Sequence, residues 1–173
     1  MSKFFKLQFI VLIGLMLSSI TVSARGVYQT DEAFLSEVFA NSVPKSQIVW
    51  LKGEVRQSVS DILGHDYKGL RIRYWRDQNK SVWILEEIGK EQPITFGVVI
   101  SKQKVEAVKV LAFRESRGDE IRHPAFTQQF EQVTLDGNKL DRQIDGISGA
   151  TLSVWAMTSV VRMALYLDEF TSQ

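Results

Sequence analysis

The sequence predicts an α+β fold: an antiparallel sheet of two hairpins with helices packed on one face, followed by a long C-terminal helix. Two pairs of segments in the middle of the chain alternate apolar and polar residues, and a short polar turn joins each pair, which indicates hairpins. Apolar residues at three- and four-residue steps near the C-terminus indicate the helix. Strands followed by a long helix are typical of an α+β layer.

Residues 1–24 have the pattern of a secretory signal peptide. Lys3 and Lys6 form a basic start, residues 7–17 are apolar, and Val22-Ser23-Ala24 offers small residues for cleavage. The apolar run is shorter than the about 20 residues that a membrane-spanning helix needs. We therefore expect cleavage after Ala24 and a periplasmic mature protein. An uncleaved N-terminal anchor is the alternative.

Composition excludes several classes of function. Loss of Lys3 and Lys6 from the 21 basic residues leaves 19 against 20 acidic residues, a net charge of −1, so nothing attracts nucleic acid. The absence of cysteine excludes disulfides, iron–sulfur clusters and covalent c-type haem. His65 and His123 are isolated in the sequence, and we expect no metal site.

Residues 25–92 are predicted to form the N-terminal part of the same domain. From residue 26 to residue 66 the pattern is helical. Asp31 is placed to cap a helix over residues 32–39, and a second helix ends at Gly64. These helices are expected to pack on the sheet.

The first hairpin is predicted over residues 70–85, with its turn at residues 77–80. Arg71, Arg73 and Arg76 alternate with apolar residues, which favours the solvated face of a strand, and a patch for phosphate or an acidic partner is the alternative. The second hairpin is predicted over residues 94–113, with its turn at residues 101–104.

The stretch from Asp145 to Thr151 carries the sharpest signal in the chain. Gly149 and Ala150 are small enough for close approach, while Ser148 and Thr151 present hydroxyls at the start of a helix. The first amides of a helix lack intrahelical partners and the helix dipole is positive there, so the stretch predicts an anion site. The helix is expected to bury one apolar stripe: Leu152, Trp155, Ala156, Ser159, Val160, Met163, Ala164 and Leu167.

These residues resemble the FMN-binding domain of the flavoprotein subunits of sodium-translocating NADH:quinone oxidoreductase and of the Rnf complex. The likeness covers roughly residues 93–170, and we assign residues 93–173 to this region. It includes the second hairpin, the segment Glu115-Ser116-Arg117-Gly118 and the Ser-Gly-Ala-Thr segment that ends at Thr151. Two positions depart from the family pattern, Ser116 where threonine is commoner and Val154 where serine is commoner.

The resemblance implies FMN joined through its phosphate to Thr151, with Asp145, Ser148, Gly149 and Ala150 around the attachment point. It also implies that Glu115 belongs to the cofactor neighbourhood. Attachment would require a separate FAD-dependent, metal-requiring flavin transferase, because a free threonine hydroxyl is a weak nucleophile. Trp75 and Trp83 either cover a flavin or pack within the hairpin.

The sequence thus favours an exported electron carrier that exchanges electrons with a membrane or periplasmic redox partner. A flavin-dependent reductase of a small substrate is the second hypothesis, with Glu115 and His123 as its acid or base candidates. A flavin-free accessory binding module is the third.

Overall fold

The computed structural model describes residues 26–172, and the predicted signal segment, residues 1–24, lies outside them. Within this range, five strands form one antiparallel sheet in which each strand lies beside its neighbour in the chain. Among residues 26–172, no helix is long and apolar enough to cross a membrane. The strands are β1 (Gln47–Trp50), β2 (Arg71–Asp77), β3 (Lys80–Ile88), β4 (Pro93–Ser101) and β5 (Lys104–Ala112).

Four α-helices accompany the sheet, and the last is the longest at 20 residues. The α+β class, the two hairpins and the long C-terminal helix are confirmed. Two short strands, β6 (Leu135–Asp136) and β7 (Lys139–Leu140), form a separate small hairpin. The helices are α1 (Asp31–Val38), α2 (Gly53–Leu63), α3 (Pro124–Thr127) and α4 (Thr151–Phe170), with short 3₁₀ turns at Asp119–Arg122 and Gln128–Phe130.

The N-terminal part contains a strand that the sequence did not predict. Residues 26–66 were expected to be helical, but β1 pairs antiparallel with β2, with Val49 opposite Ile72. β1 has four residues and buries only Val49, so its local alternation is too short to recognise. The cap of α1 also differs from the prediction, because the Thr30 hydroxyl, rather than Asp31, accepts the hydrogen bond from the Ala33 amide.

The main core lies between the sheet and helices α2 and α4. Its fully buried members include Trp83, Phe96, Met157 and Leu167. Trp83 stacks on Tyr74 with ring centroids 4.6 Å apart. Burial of these large side chains is the principal stabilisation of the fold and fixes α4 against the sheet.

Helix α1 lies on the opposite face of the sheet, whereas the sequence predicted helices on one face. Phe34 and Leu35 pack on Val82, Val99 and Leu111 in a second buried cluster. Gly97 admits this packing, since a Cβ there would lie 2.2 Å from the Phe34 ring. Removal of a single side chain from β4 therefore creates the seat for α1.

The C-terminal end of α4 is tied to the sheet by a buried polar cluster. Asp168, 2% exposed, pairs with the Arg76 guanidinium at 2.8 Å. Its carboxylate also accepts hydrogen bonds from the Ser81 hydroxyl and from the Gln103 amide. Arg76 therefore belongs to this cluster rather than to the solvated row with Arg71 and Arg73, both of which are exposed.

Candidate functional site

The start of α4 is an uncapped helix terminus with an exposed hydroxyl. Thr151 is the first helical residue, and Ala150, which has no side-chain acceptor, occupies the N-cap. The preceding turn is closed by a 3.0 Å hydrogen bond from the Ala150 amide to the Ile147 carbonyl, and Gly149 has φ +85°. The first amides of the helix lack intrahelical partners, so the predicted anion site has a structural basis.

A cleft of about 590 Å³ opens beside Thr151. One wall is a face of α4, on which Thr151, Trp155, Thr158 and Arg162 succeed one another at helical spacing. The other wall is the segment that precedes the helix. The lining residues from that segment are Lys139, Leu140, Arg142, Gln143, Ile144 and Gly146, and Val154 of α4 completes the lining.

The exposed side of α4 differs from the prediction. Trp155 and Leu152 were assigned to the buried stripe, but they are 63% and 42% exposed. The helix buries Ser153, Val154 and Met157 in their place, which turns Trp155 toward the cleft. An exposed indole in a cleft offers a large apolar face to a ligand.

The charged side chains that line the cleft, within the described part of the chain, are all basic: Lys139, Arg142 and Arg162. The Nε of Arg162 donates a 2.6 Å hydrogen bond to the Asn138 carbonyl, and burial lowers the pKa of the Arg162 guanidinium. Arg142 lies 3.4 Å from the Asp141 carboxylate. The cleft therefore carries positive potential, which suits an anionic ligand.

Glu115 organises the turn between β3 and β4. Its Oε1 accepts hydrogen bonds from the amides of Lys90, Glu91 and Gln92 at 2.5, 2.6 and 2.9 Å. Burial raises the pKa of the Glu115 carboxyl, but these three amides outweigh that effect and hold the pKa below its ordinary value. The carboxylate is therefore an acceptor of amides in this structure, and its predicted place near the cofactor stays a prediction.

Gly118 brings the segment after β5 against the start of α4. It has φ +94°, and a Cβ there would lie 2.5 Å from the Ser153 hydroxyl oxygen and 3.6 Å from the Ala150 Cβ. Only glycine accommodates both the backbone conformation and this approach. The Glu115 segment thus reaches the attachment region through the backbone at Gly118.

Asp145 lies on the loop that leads to the helix. Its backbone amide donates a 2.8 Å hydrogen bond to the Gln129 side chain, and the residue is exposed, as are Ser148 and Gly149. Within the predicted attachment stretch, Ala150 is instead 3% exposed. The structure thus gives the loop an accessible polar surface on which both the Ser148 and the Thr151 hydroxyls are available.

The two tryptophans of the first hairpin do not line the cleft. Trp83 is fully buried in the main core, and Trp75 packs against the α1 cluster on the other face of the sheet. The cleft residues that sequence reasoning missed are Trp155, Thr158, Arg142 and Arg162. The three on α4 follow Thr151 by four, seven and eleven positions, so the helical period from Thr151 would have found them.

Comparison with known proteins agrees with this geometry. Residues 89–166 match the family model described as "FMN-binding domain". The search of curated proteins found no match. Among solved structures, the chain resembles one of the subunits of the Na⁺-translocating NADH-quinone reductase from Parabacteroides distasonis, with a TM-score of 0.52 and 18% sequence identity over 86% of this chain and 89% of that chain. At that identity the likeness concerns the fold.

The family match spans β4, β5, the Glu115 segment, the cleft and most of α4, so the matched residues and the site coincide. The chain therefore carries an FMN-binding domain over residues 89–166, which makes it a flavoprotein.

Proposed function

We propose that this protein is an exported electron-transfer flavoprotein that carries FMN in a phosphoester bond to Thr151. The observation that carries the proposal is the exposed Thr151 hydroxyl at an uncapped helix terminus, within the matched domain and at one end of a basic cleft. A phosphate attached there meets free backbone amides and the positive end of the helix dipole.

The residues of the cleft fit FMN. Its volume of about 590 Å³ lies within the about 300–1,000 Å³ that small-molecule sites occupy. Trp155 offers an aromatic face and the basic side chains offer partners for anionic groups. When bound, FMN supplies the redox chemistry, and the chain supplies attachment, orientation and electrostatics.

Attachment is a transfer in which the Thr151 hydroxyl oxygen forms a bond to the flavin phosphorus. The phosphoanhydride bond of an FAD donor breaks, AMP leaves, and the hydroxyl proton passes to a base. Because the Thr151 hydroxyl has no activating neighbour in the cleft, we assign this base and the required metal to a separate flavin transferase.

Export is inferred from residues 1–24, and it gives covalent attachment a purpose. A dissociable cofactor released outside the cytoplasm is lost by dilution, whereas an ester-linked one is retained. We propose a periplasmic location, with a membrane or periplasmic protein as redox partner.

The test is the intact mass of the protein exported from cells that contain a flavin transferase. We expect loss of residues 1–24 and a gain equal to FMN less one water in the wild type. Thr151→Ala should lack the gain, while Ser148→Ala, a matched loss of a nearby exposed hydroxyl, should retain it.

Other outcomes lead to the alternative functions. An unmodified yellow protein whose colour is released on denaturation indicates a dissociable flavin and favours a small-substrate reductase. An unmodified colourless protein leaves the accessory module. A modified Thr151→Ala protein would move the attachment to another hydroxyl and refute the assignment of Thr151.

A further inference from the structure

We propose that Arg162 is a positioning residue that stabilises the reduced form of the flavin in the cleft and so raises its reduction potential. This inference rests on the function proposed above, because it requires FMN at Thr151. It adds to that function the electrostatic device that sets the driving force of electron transfer.

The first support is placement. Arg162 follows Thr151 by eleven residues, three helical turns, which is about 16 Å along the axis of α4. Both side chains line the same cleft, with Trp155 and Thr158 between them. A ligand joined at Thr151 and extended along α4 therefore passes the indole before it approaches the guanidinium.

The second support is the state of the Arg162 side chain. Its Nε is anchored on the Asn138 carbonyl at 2.6 Å, which leaves the terminal nitrogens for another partner. The side chain is partly buried and, within residues 26–172, forms no ion pair. Arg142 differs, because it already lies beside Asp141. Arg162 is thus a fixed cation whose charge is not neutralised by a neighbouring carboxylate.

The third support is the chemistry of the ring. Uptake of two electrons and one proton gives the isoalloxazine one negative charge, and charge near its pyrimidine nitrogens tunes its electronics. A partly desolvated cation attracts that charge more strongly than a hydrated one does, because local screening is weaker. Since the oxidised ring is neutral, the attraction favours reduction.

The experiment compares the midpoint potential of the flavin in the wild type, Arg162→Gln, Arg162→Lys and Lys104→Gln. Each loaded protein is equilibrated with a dye of known potential while dithionite supplies electrons. Lys104 is an exposed lysine in the turn region of β4 and β5, outside the cleft, and its substitution removes the same charge.

We expect Arg162→Gln to shift the equilibrium about tenfold toward the oxidised form, which is about 30 mV for a two-electron couple. Arg162→Lys should retain most of the wild-type potential, and Lys104→Gln should leave it unchanged. In Arg162→Gln the reduced ring should also take up its second proton at a higher pH, visible as a displaced break in the plot of potential against pH. A merely structural role would not move that break.

Two measurements separate the possible failures. Intact mass reports attachment, so a wild type without the FMN gain refutes the proposed function, and potentials of the dissociable complex then still test Arg162. A loaded Arg162→Gln protein with the wild-type potential refutes the role of Arg162 alone. If Arg162→Gln does not fold, Thr158→Glu places a carboxylate one helical turn from Arg162 and should lower the potential in the same direction. An unchanged potential in that variant would also overturn the inference, and a protein without any flavin would overturn both proposals.

Discussion

Gly118→Ala tests how closely the segment after β5 approaches the start of α4. The new methyl group would lie 2.5 Å from the Ser153 hydroxyl oxygen and 3.3 Å from the Ser153 Cβ. Ser153 and Ala150 are 4% and 3% exposed, so neither side chain has free space into which to move. The substitution should therefore push the first turn of α4 away from the sheet, and Thr151 with it.

Two terms set the size of the effect. An alanine with positive φ costs about 1–2 kcal/mol, and an extra methyl group in a tightly packed place costs about 1–3 kcal/mol. Gly118→Ala should thus destabilise the fold by about 3 kcal/mol. Gly137→Ala is the matched control, because Gly137 also has positive φ but has nothing within 4 Å of its Cβ position. It should cost only the backbone term, about 1 kcal/mol.

Urea unfolding monitored by far-ultraviolet circular dichroism measures both variants. The double variant Gly118→Ala with Ser153→Ala removes the hydroxyl oxygen in the way and should recover about 1 kcal/mol. Equal losses of stability in Gly118→Ala and Gly137→Ala, with no recovery in the double variant, would mean that the segment does not press on the helix start. The yield of flavin attachment to Thr151 in the same proteins would report the displacement directly.

Two further predictions concern the charged groups that hold the fold. The pKa of Glu115 is lowered in the folded chain, so its stabilisation is present above its unfolded pKa and is lost as pH falls through the folded value. Glu115→Gln should therefore unfold at lower urea than wild type at pH 7, and the two midpoints should converge below about pH 4; a constant separation would contradict this. Asp168→Ala strands the buried Arg76 guanidinium and should cost about 3 kcal/mol, against under about 1 kcal/mol for Lys109→Ala at an exposed ion pair, in the same assay. Similar losses in both would contradict burial of the Asp168 pair.

The features predicted correctly are those that local pattern determines. The two hairpins follow from alternation and polar turns within about 20 residues of one another. The end of α2 follows from Gly64, which has φ +77°. Ser148, Gly149, Ala150 and Thr151 could be singled out because small and hydroxyl residues at a helix start have a local physical meaning.

The features that were missed depend on partners distant in the chain. β1 is a strand because β2 pairs with it 23 positions later, as Val49 and Ile72 do. Arg76 leaves the solvated row because Asp168 lies 92 positions away in the chain. The side of the sheet that α1 occupies depends on the missing side chain at Gly97. None of these pairings leaves a trace in a single sequence window.

Helix α4 was predicted as an element, but not the face that it turns to the solvent. Its apolar residues surround most of its circumference, so several stripes fit the same period. The structure selects the stripe through two polar residues that it buries, Ser153 beside Gly118 and Asp168 beside Arg76. These contacts fix the rotation of the helix and thereby direct Trp155 outward.

The same two contacts give the helix a functional consequence. One fixes the first turn of α4 on the backbone at Gly118, and the other fixes its last turn on the tips of both hairpins through Asp168. A group attached at Thr151 is therefore held by a rod anchored at both ends. The opposite wall of the cleft has lighter anchors, including the Gln129 contact to the Asp145 amide and the Arg162 contact to the Asn138 carbonyl. Adjustment of the cleft to a bound ring should consequently take place in residues 139–146, while the attachment point and the Arg162 charge keep their spacing along α4.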